Sequence, residues 1–192
     1  MTTASWAAEA WLALAGTLRL ARGDVQGLSY FDASEEGFWR SFRAAALCYP
    51  LYLFLLAFPI ELGTPAEAYT VRLVLVETIH YVTSWAAFPL LMLPLVDWMQ
   101  RGDRYFGFMV AYNWCQVPQT VVFALVAFGG AVGLLSNEGM LIADLIVGLG
   151  ALVYEWYIAR VALAVSRPRA GLVILADIAL ATLLTNVSAA LY

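Results

Sequence analysis

The sequence predicts an all-α protein, a polytopic bundle of five transmembrane helices preceded by an amphipathic helix lying in the membrane plane. Three observations predict it. Hydrophobic residues make up 63% of the 192-residue chain and charged residues 12%, against the roughly 25% charge of an ordinary soluble domain. The apolar residues are bunched into runs of about 20, the length a helix needs to cross the hydrocarbon core. The period-2 alternation that marks an outer-membrane barrel is absent.

The arm comes first, residues 1–43. No arginine precedes Arg19, whereas a secretory signal opens with a positive region. At 100° per residue, Trp6, Ala7, Ala10, Trp11, Leu14, Thr17 and Leu18 gather on one side, with Ser5, Glu9 and Arg19 on the other. That pattern predicts an in-plane helix; a sixth span over residues 4–20 is the alternative. Arg22–Gly37 is the most polar stretch. Within it Asp32 and Glu35 have capping-box spacing, so a helix is expected from Asp32 into the first span. Trp39, Arg40 and Arg43 are expected to anchor that helix at the interface, indole at headgroup depth and guanidinium groups on phosphate.

The five-span domain covers residues 44–192, with spans at about 44–60, 73–96, 108–134, 139–160 and 171–192. Pro50 and Pro59 fall in the first span, and Pro89 and Pro94 kink the second. Gly129, Gly130 and Gly133 end the third. Nine arginines alternate onto one side of the spans, leaving Arg72 alone on the other. The positive-inside rule then gives a bacterial cytoplasmic-membrane protein with a cytoplasmic N-terminus and a periplasmic C-terminus. The fourth span, Gly139–Arg160, is expected to organise the bundle. Its Asp144, Gly148, Ala151 and Glu155 lie on one face, which must turn from lipid toward protein or water.

Candidate site residues are the polar groups inside these spans. At 1.5 Å per residue, Glu77, His80 and Asp144 belong to the outer third. Glu155 and Asp177 each lie about 9 Å inside the cytoplasmic boundary, with Asn113 at a similar level and Gln116 and Gln119 nearer the midplane. Each has a plain structural reading. Glu77 is then interfacial, His80 a neutral hydrogen-bonded residue, and the amides tie helices together for roughly 0.6–2 kcal/mol each. Glu155 with Arg160 is then a boundary ion pair. Asp144 and Asp177 resist that reading, because an Asp at a span centre costs about 2.5–3.5 kcal/mol and needs a partner or a proton. Glu155 and Asp177 are expected to form an inner pair that shares a proton or is neutralised by Arg160.

Many chemistries find no footing. The chain has no phosphate-binding loop, no nucleophile elbow and no H-E-x-x-H. One histidine and two cysteines, Cys48 and Cys115, make neither a metal cluster nor a disulfide framework. No cofactor is expected. A net charge of −4 gives no basic footing for nucleic acid.

The layout of a cytoplasmic amphipathic arm and five closely spaced spans resembles the Yip (Ypt-interacting) family. The entry segment Arg22-Gly-Asp-x-x-Gly-Leu28, with Phe31-Asp32 and Gly37-Phe-Trp-Arg-Ser-Phe42, is similar to bacterial membrane proteins of unknown function. The D-L-Y-G-P-like motif of eukaryotic Yip members is missing, so no functional residue carries over. The resemblance implies membrane-organising or adaptor work without catalysis. The leading expectation is thus a scaffold or accessory subunit whose partners are membrane lipids, other membrane-protein subunits or a second copy of itself. The alternative is a small transporter or proton-coupled relay built on the intramembrane carboxylates, with an enzyme a distant third.

Overall fold

A computed structural model describes residues 6–57 and 71–191. Residues 1–5, the outer end of the first expected span with Pro59, the segment to residue 70 and residue 192 lie outside them. Among the described residues every regular element is helical. They are α1 (Trp6–Ala21), a 3₁₀ segment (Val25–Tyr30), α2 (Glu35–Ser41), α3 (Arg43–Ala57), α4 (Val71–Trp98), a short 3₁₀ lead-in (Gly102–Arg104), α5 (Tyr105–Ala131), α6 (Asn137–Ala162) and α7 (Arg167–Ala189). Four of these, α4, α5 with its lead-in, α6 and α7, are long and apolar enough to cross a membrane. Described α3 has 15 residues, about 22 Å at 1.5 Å per residue.

The organising helix is α5 rather than α6. It packs against α1, α2, α3, α4 and α6, and Phe108, Met109, Ala111 and Cys115 of its first half are fully buried. The reason lies in composition. Around Trp114 the first half of α5 is apolar or amide-bearing on every side, so it can be enclosed all round. Leu145, Ile146, Leu149 and Val153 of α6 instead point outward, as lipid-facing residues do. The end of α5 is also earlier than expected. Gly133 takes φ 74°, and Leu134 N–H reaches the Gly129 carbonyl at 2.8 Å, a Schellman stop that closes the helix at Ala131.

The entry to the first span is two helices. Ser34, not Asp32, caps α2 by accepting from Gly37 N–H, while Asp32 Oδ1 accepts from Ser34 N–H at 3.0 Å. The helix therefore starts two to three residues later than expected, because Asp32 spends its carboxylate on an Asx turn. Gly37 is required there: a Cβ would stand 2.1 Å from the Asp32 carbonyl oxygen.

The arm folds back on the bundle. Ala10, Ala13, Gly16, Thr17 and Leu20 of α1 are buried, whereas Trp11 is 75% exposed and Leu18 is exposed. The single apolar face read from the sequence is thus split: Ala10 and Thr17 turn inward, and so does Glu9. That carboxylate holds Arg40 Nε at 3.0 Å and Arg43 Nη1 at 2.7 Å. Arg40 also meets Asp32 and Glu36. With three carboxylates around it, Arg40 is not the free phosphate anchor its position suggested. Trp39 is 63% exposed. A second lock joins Arg19 to Asp24 and to the Tyr30 hydroxyl, and Gly27 crosses Gly16 so closely that a Cβ would lie 2.6 Å from the Gly16 carbonyl.

Candidate functional site

The polar groups of the helices converge on α5. Tyr112 and Gln116, one turn apart, face α7 and α6. The Tyr112 hydroxyl donates to Asp177 Oδ2 at 2.8 Å, and Gln116 Nε2 donates to Glu155 Oε1 at 3.2 Å. Asp177 and Glu155 stand on the neighbouring helices α7 and α6. They are thus tied to one helix at one level, through a phenol and an amide rather than to each other. Glu155 is 7% exposed. Arg160 does not neutralise it: its guanidinium lies 5.8 Å from the Trp156 ring centroid, and no ion pair joins it to a carboxylate among the described residues. Its aromatic neighbour, one turn back on the same helix, holds it.

A cavity of about 270 Å³ opens beside Asp177. Its floor is Pro89, Tyr112, Asn113 and Asp177; Gln116 and Thr120 line the middle, and His80, Phe123 and Leu184 the far end. The reach from Tyr112 to Phe123 along α5 is about 16 Å at 1.5 Å per residue, more than half of a ~30 Å hydrocarbon core. Aromatic rings form the remaining wall. Phe88 stacks on Tyr112 at 4.2 Å between centroids. Tyr81 packs against Tyr52 at 4.8 Å and Trp85 at 6.0 Å.

Phenols also hold the wall apart. Tyr49 of α3 bonds Thr78 of α4 at 2.8 Å, Tyr52 donates to Glu77, and Tyr81 of α4 donates to the Ala45 carbonyl at 2.6 Å. α3 and α4 are thus joined through long side chains.

Of the residues singled out in the sequence, His80, Asn113, Gln116 and Asp177 line this one cavity. Glu77 stands behind Tyr52, and Glu155 behind Gln116. His80 Nδ1 is 2.9 Å from Ser188 Oγ, and Asn113 donates to the buried Ser41 hydroxyl at 2.8 Å, a helix tie. Gln119 does not line this cavity: it bonds Cys115 Sγ at 3.4 Å, reaches the Glu155 carboxylate beside Gln116, and lines a second, apolar groove of about 620 Å³ between α1, α5 and α6. Asp144 joins neither Glu77 nor His80: its Oδ2 is shielded from solvent and has no hydrogen-bond partner among the described residues. These three therefore form no cluster, because α6 does not pack closely beside the half of α4 that carries Glu77 and His80. Tyr52, Tyr81, Trp85 and Tyr112 were missed. One signal was present: Tyr112 and Gln116 are spaced i, i+4, so they share a face.

Comparison with protein-family models, with curated proteins and with solved structures returned no match.

Proposed function

We propose that the chain is a five-span protein of the bacterial cytoplasmic membrane, with α3 as its first span, and that it works as a small transporter or proton-coupled relay. The carrying observation is Asp177, a carboxylate that lines a cavity between long apolar helices and whose one hydrogen-bond partner among the described residues is a phenol. In a low-dielectric interior such a group must take up a proton or a cation, and a site that exchanges the two can couple them. Tyr112, Gln116 and Glu155 continue the hydrogen-bonding groups toward α6, so the second carboxylate is within reach of the same α5 face. In this reading the N-terminus is cytoplasmic, and α1 lies in the membrane plane. Both ends of the arm are then held at one boundary: Glu9 by Arg40 and Arg43, and the Gly23 carbonyl by the Tyr157 hydroxyl at 2.7 Å.

Proton movement into vesicles reconstituted with the purified chain tests the relay. The wild type should move protons down an imposed gradient and Asp177→Asn should not. A wild-type protein silent under every gradient would remove this reading. The exposed Trp6, Trp11, Leu12 and Leu18 of α1 favour a second reading, the adaptor that the Yip resemblance implies. Retention of specific partner proteins by the wild type, lost when Trp11 and Leu18 become serine, would support it.

A further inference from the structure

We infer that the cavity beside Asp177 binds an organic monocation with a compact apolar body, an amine or quaternary ammonium; this rests on reading the cavity as the working site. Charge sets the sign. Asp177 lines the cavity, no arginine is among its described lining residues, and the chain contains no lysine. Glu77 adds a second carboxylate behind the wall, through Tyr52. Among the described lining residues an anion entering this space meets a carboxylate and no counter-charge.

The wall sets the chemistry. Tyr52, Tyr81, Trp85, Phe88 and Tyr112 all line it, in a nearly continuous succession of rings at 4.8, 6.0 and 4.2 Å between neighbouring centroids. Aromatic faces attract a cation within about 6 Å of the centroid, and quaternary ammonium groups are recognised by such rings. A bare metal ion asks for a different lining. Calcium takes about 6–8 oxygen ligands, and among the described residues no group of three His, Cys, Asp or Glu side chains could hold a metal. The volume of about 270 Å³ is just below that of drug-sized ligand pockets, which run from about 300 Å³ upward. It suits one ring with a small ammonium head and excludes a whole lipid.

The test uses the full chain in lipid nanodiscs and tritiated benzyltrimethylammonium, whose charge cannot be lost to a proton. Saturable binding is expected, displaced by the unlabelled cation and not by neutral benzyl alcohol or anionic benzenesulfonate. Asp177→Asn should weaken binding about tenfold or more, and Trp85→Leu severalfold. Glu138→Gln, remote from the cavity, should leave binding unchanged. If Asp177→Asn does not fold, the wild-type selectivity still decides. Displacement by benzyl alcohol as strong as by the cation, or a folded Asp177→Asn protein that binds equally well, would overturn the inference. Saturable cation binding without proton movement would uphold this site and remove the relay; proton movement without such binding would do the reverse.

Discussion

Tyr112 hydrogen-bonds Asp177 from α5, and that single hydroxyl decides how the carboxylate is held. Its removal in Tyr112→Phe strands a half-buried acceptor, and we expect a loss of about 1–2 kcal/mol. In an Asp177→Asn background the same change should cost measurably less. Thermal unfolding in detergent gives the cycle, and strictly additive losses would show that the two groups do not interact. Glu155 behaves differently. Its partner is the Gln116 amide, which a glutamine oxygen can still accept from, so Glu155→Gln should fold and melt near the wild type. Arg160→Ala loses only a contact with the Trp156 ring and should cost under about 1 kcal/mol. A large loss in Arg160→Ala would mean that Arg160 supports Glu155 after all. At this scale the sequence was half legible. Charged and amide residues inside apolar runs announce themselves by their cost, and four of them do share one cavity. Tyrosines give no such warning, since a phenol is at home in a core or at an interface, and its hydroxyl declares a role only when a partner is beside it.

Among the described elements, the arm is the one whose segments are joined by ion pairs. Asp32 lies below the ordinary carboxylate range, chiefly through its hydrogen bonds to Ser34, with the Arg40 charge adding to them. The Arg19 hydrogen bond lowers Asp24. Both folded values are depressed, so their contribution is complete above the unfolded value of about 3.9 and is lost as pH falls through the lower folded values. The arm should therefore stay docked at pH 5 and above and loosen below about pH 4. Protease susceptibility between α1 and α2 across that range checks this; release of the arm near neutral pH would contradict it. Gly37→Ala should act without any pH change, since its methyl group collides with the Asp32 carbonyl, at a cost of about 1–3 kcal/mol. Circular dichroism melting of that variant, unaltered from the wild type, would show that the turn yields freely. The long helices were legible to within a few residues, because hydropathy marks them wherever they pack. α1 was legible as a helix but not in its facing: a 16-residue pattern rich in alanine has no strong apolar side, and the Glu9 contacts with Arg40 and Arg43, 31 and 34 residues away, decided the question.

For the molecule as a whole, threading through the membrane is the prediction that most constrains the rest. Reporter fusions at Gly63 and Asn137 should report the periplasm, and fusions at Gly102 and Arg167 the cytoplasm. A cytoplasmic signal at Gly63 would break the five-span arrangement and displace the cavity's outer end. What composition could not convey was the hub. Hydropathy ranks helices by how well they suit lipid, and so draws the eye to α6. The helix that gathers the others is α5, whose first half is enclosed by protein and carries the residues that tie neighbours in.

The three phenol bonds between α3 and α4 are compression members. A gap between helices in a bilayer is under load from the lateral pressure of the acyl chains, and elevated hydrostatic pressure favours whichever state eliminates the void. Tyr49, Tyr52 and Tyr81 carry that load at fixed length, each rooted in its own helix and fastened to the other by one hydrogen bond at its hydroxyl. Phenylalanine at all three keeps the rings but unfastens the ends, leaving α3 free to slide inward. Such a protein should show its Trp85 emission change at lower applied pressure than the wild type, well before it unfolds. The chamber owes its width to these struts, and stiffness is the property by which they would be recognised.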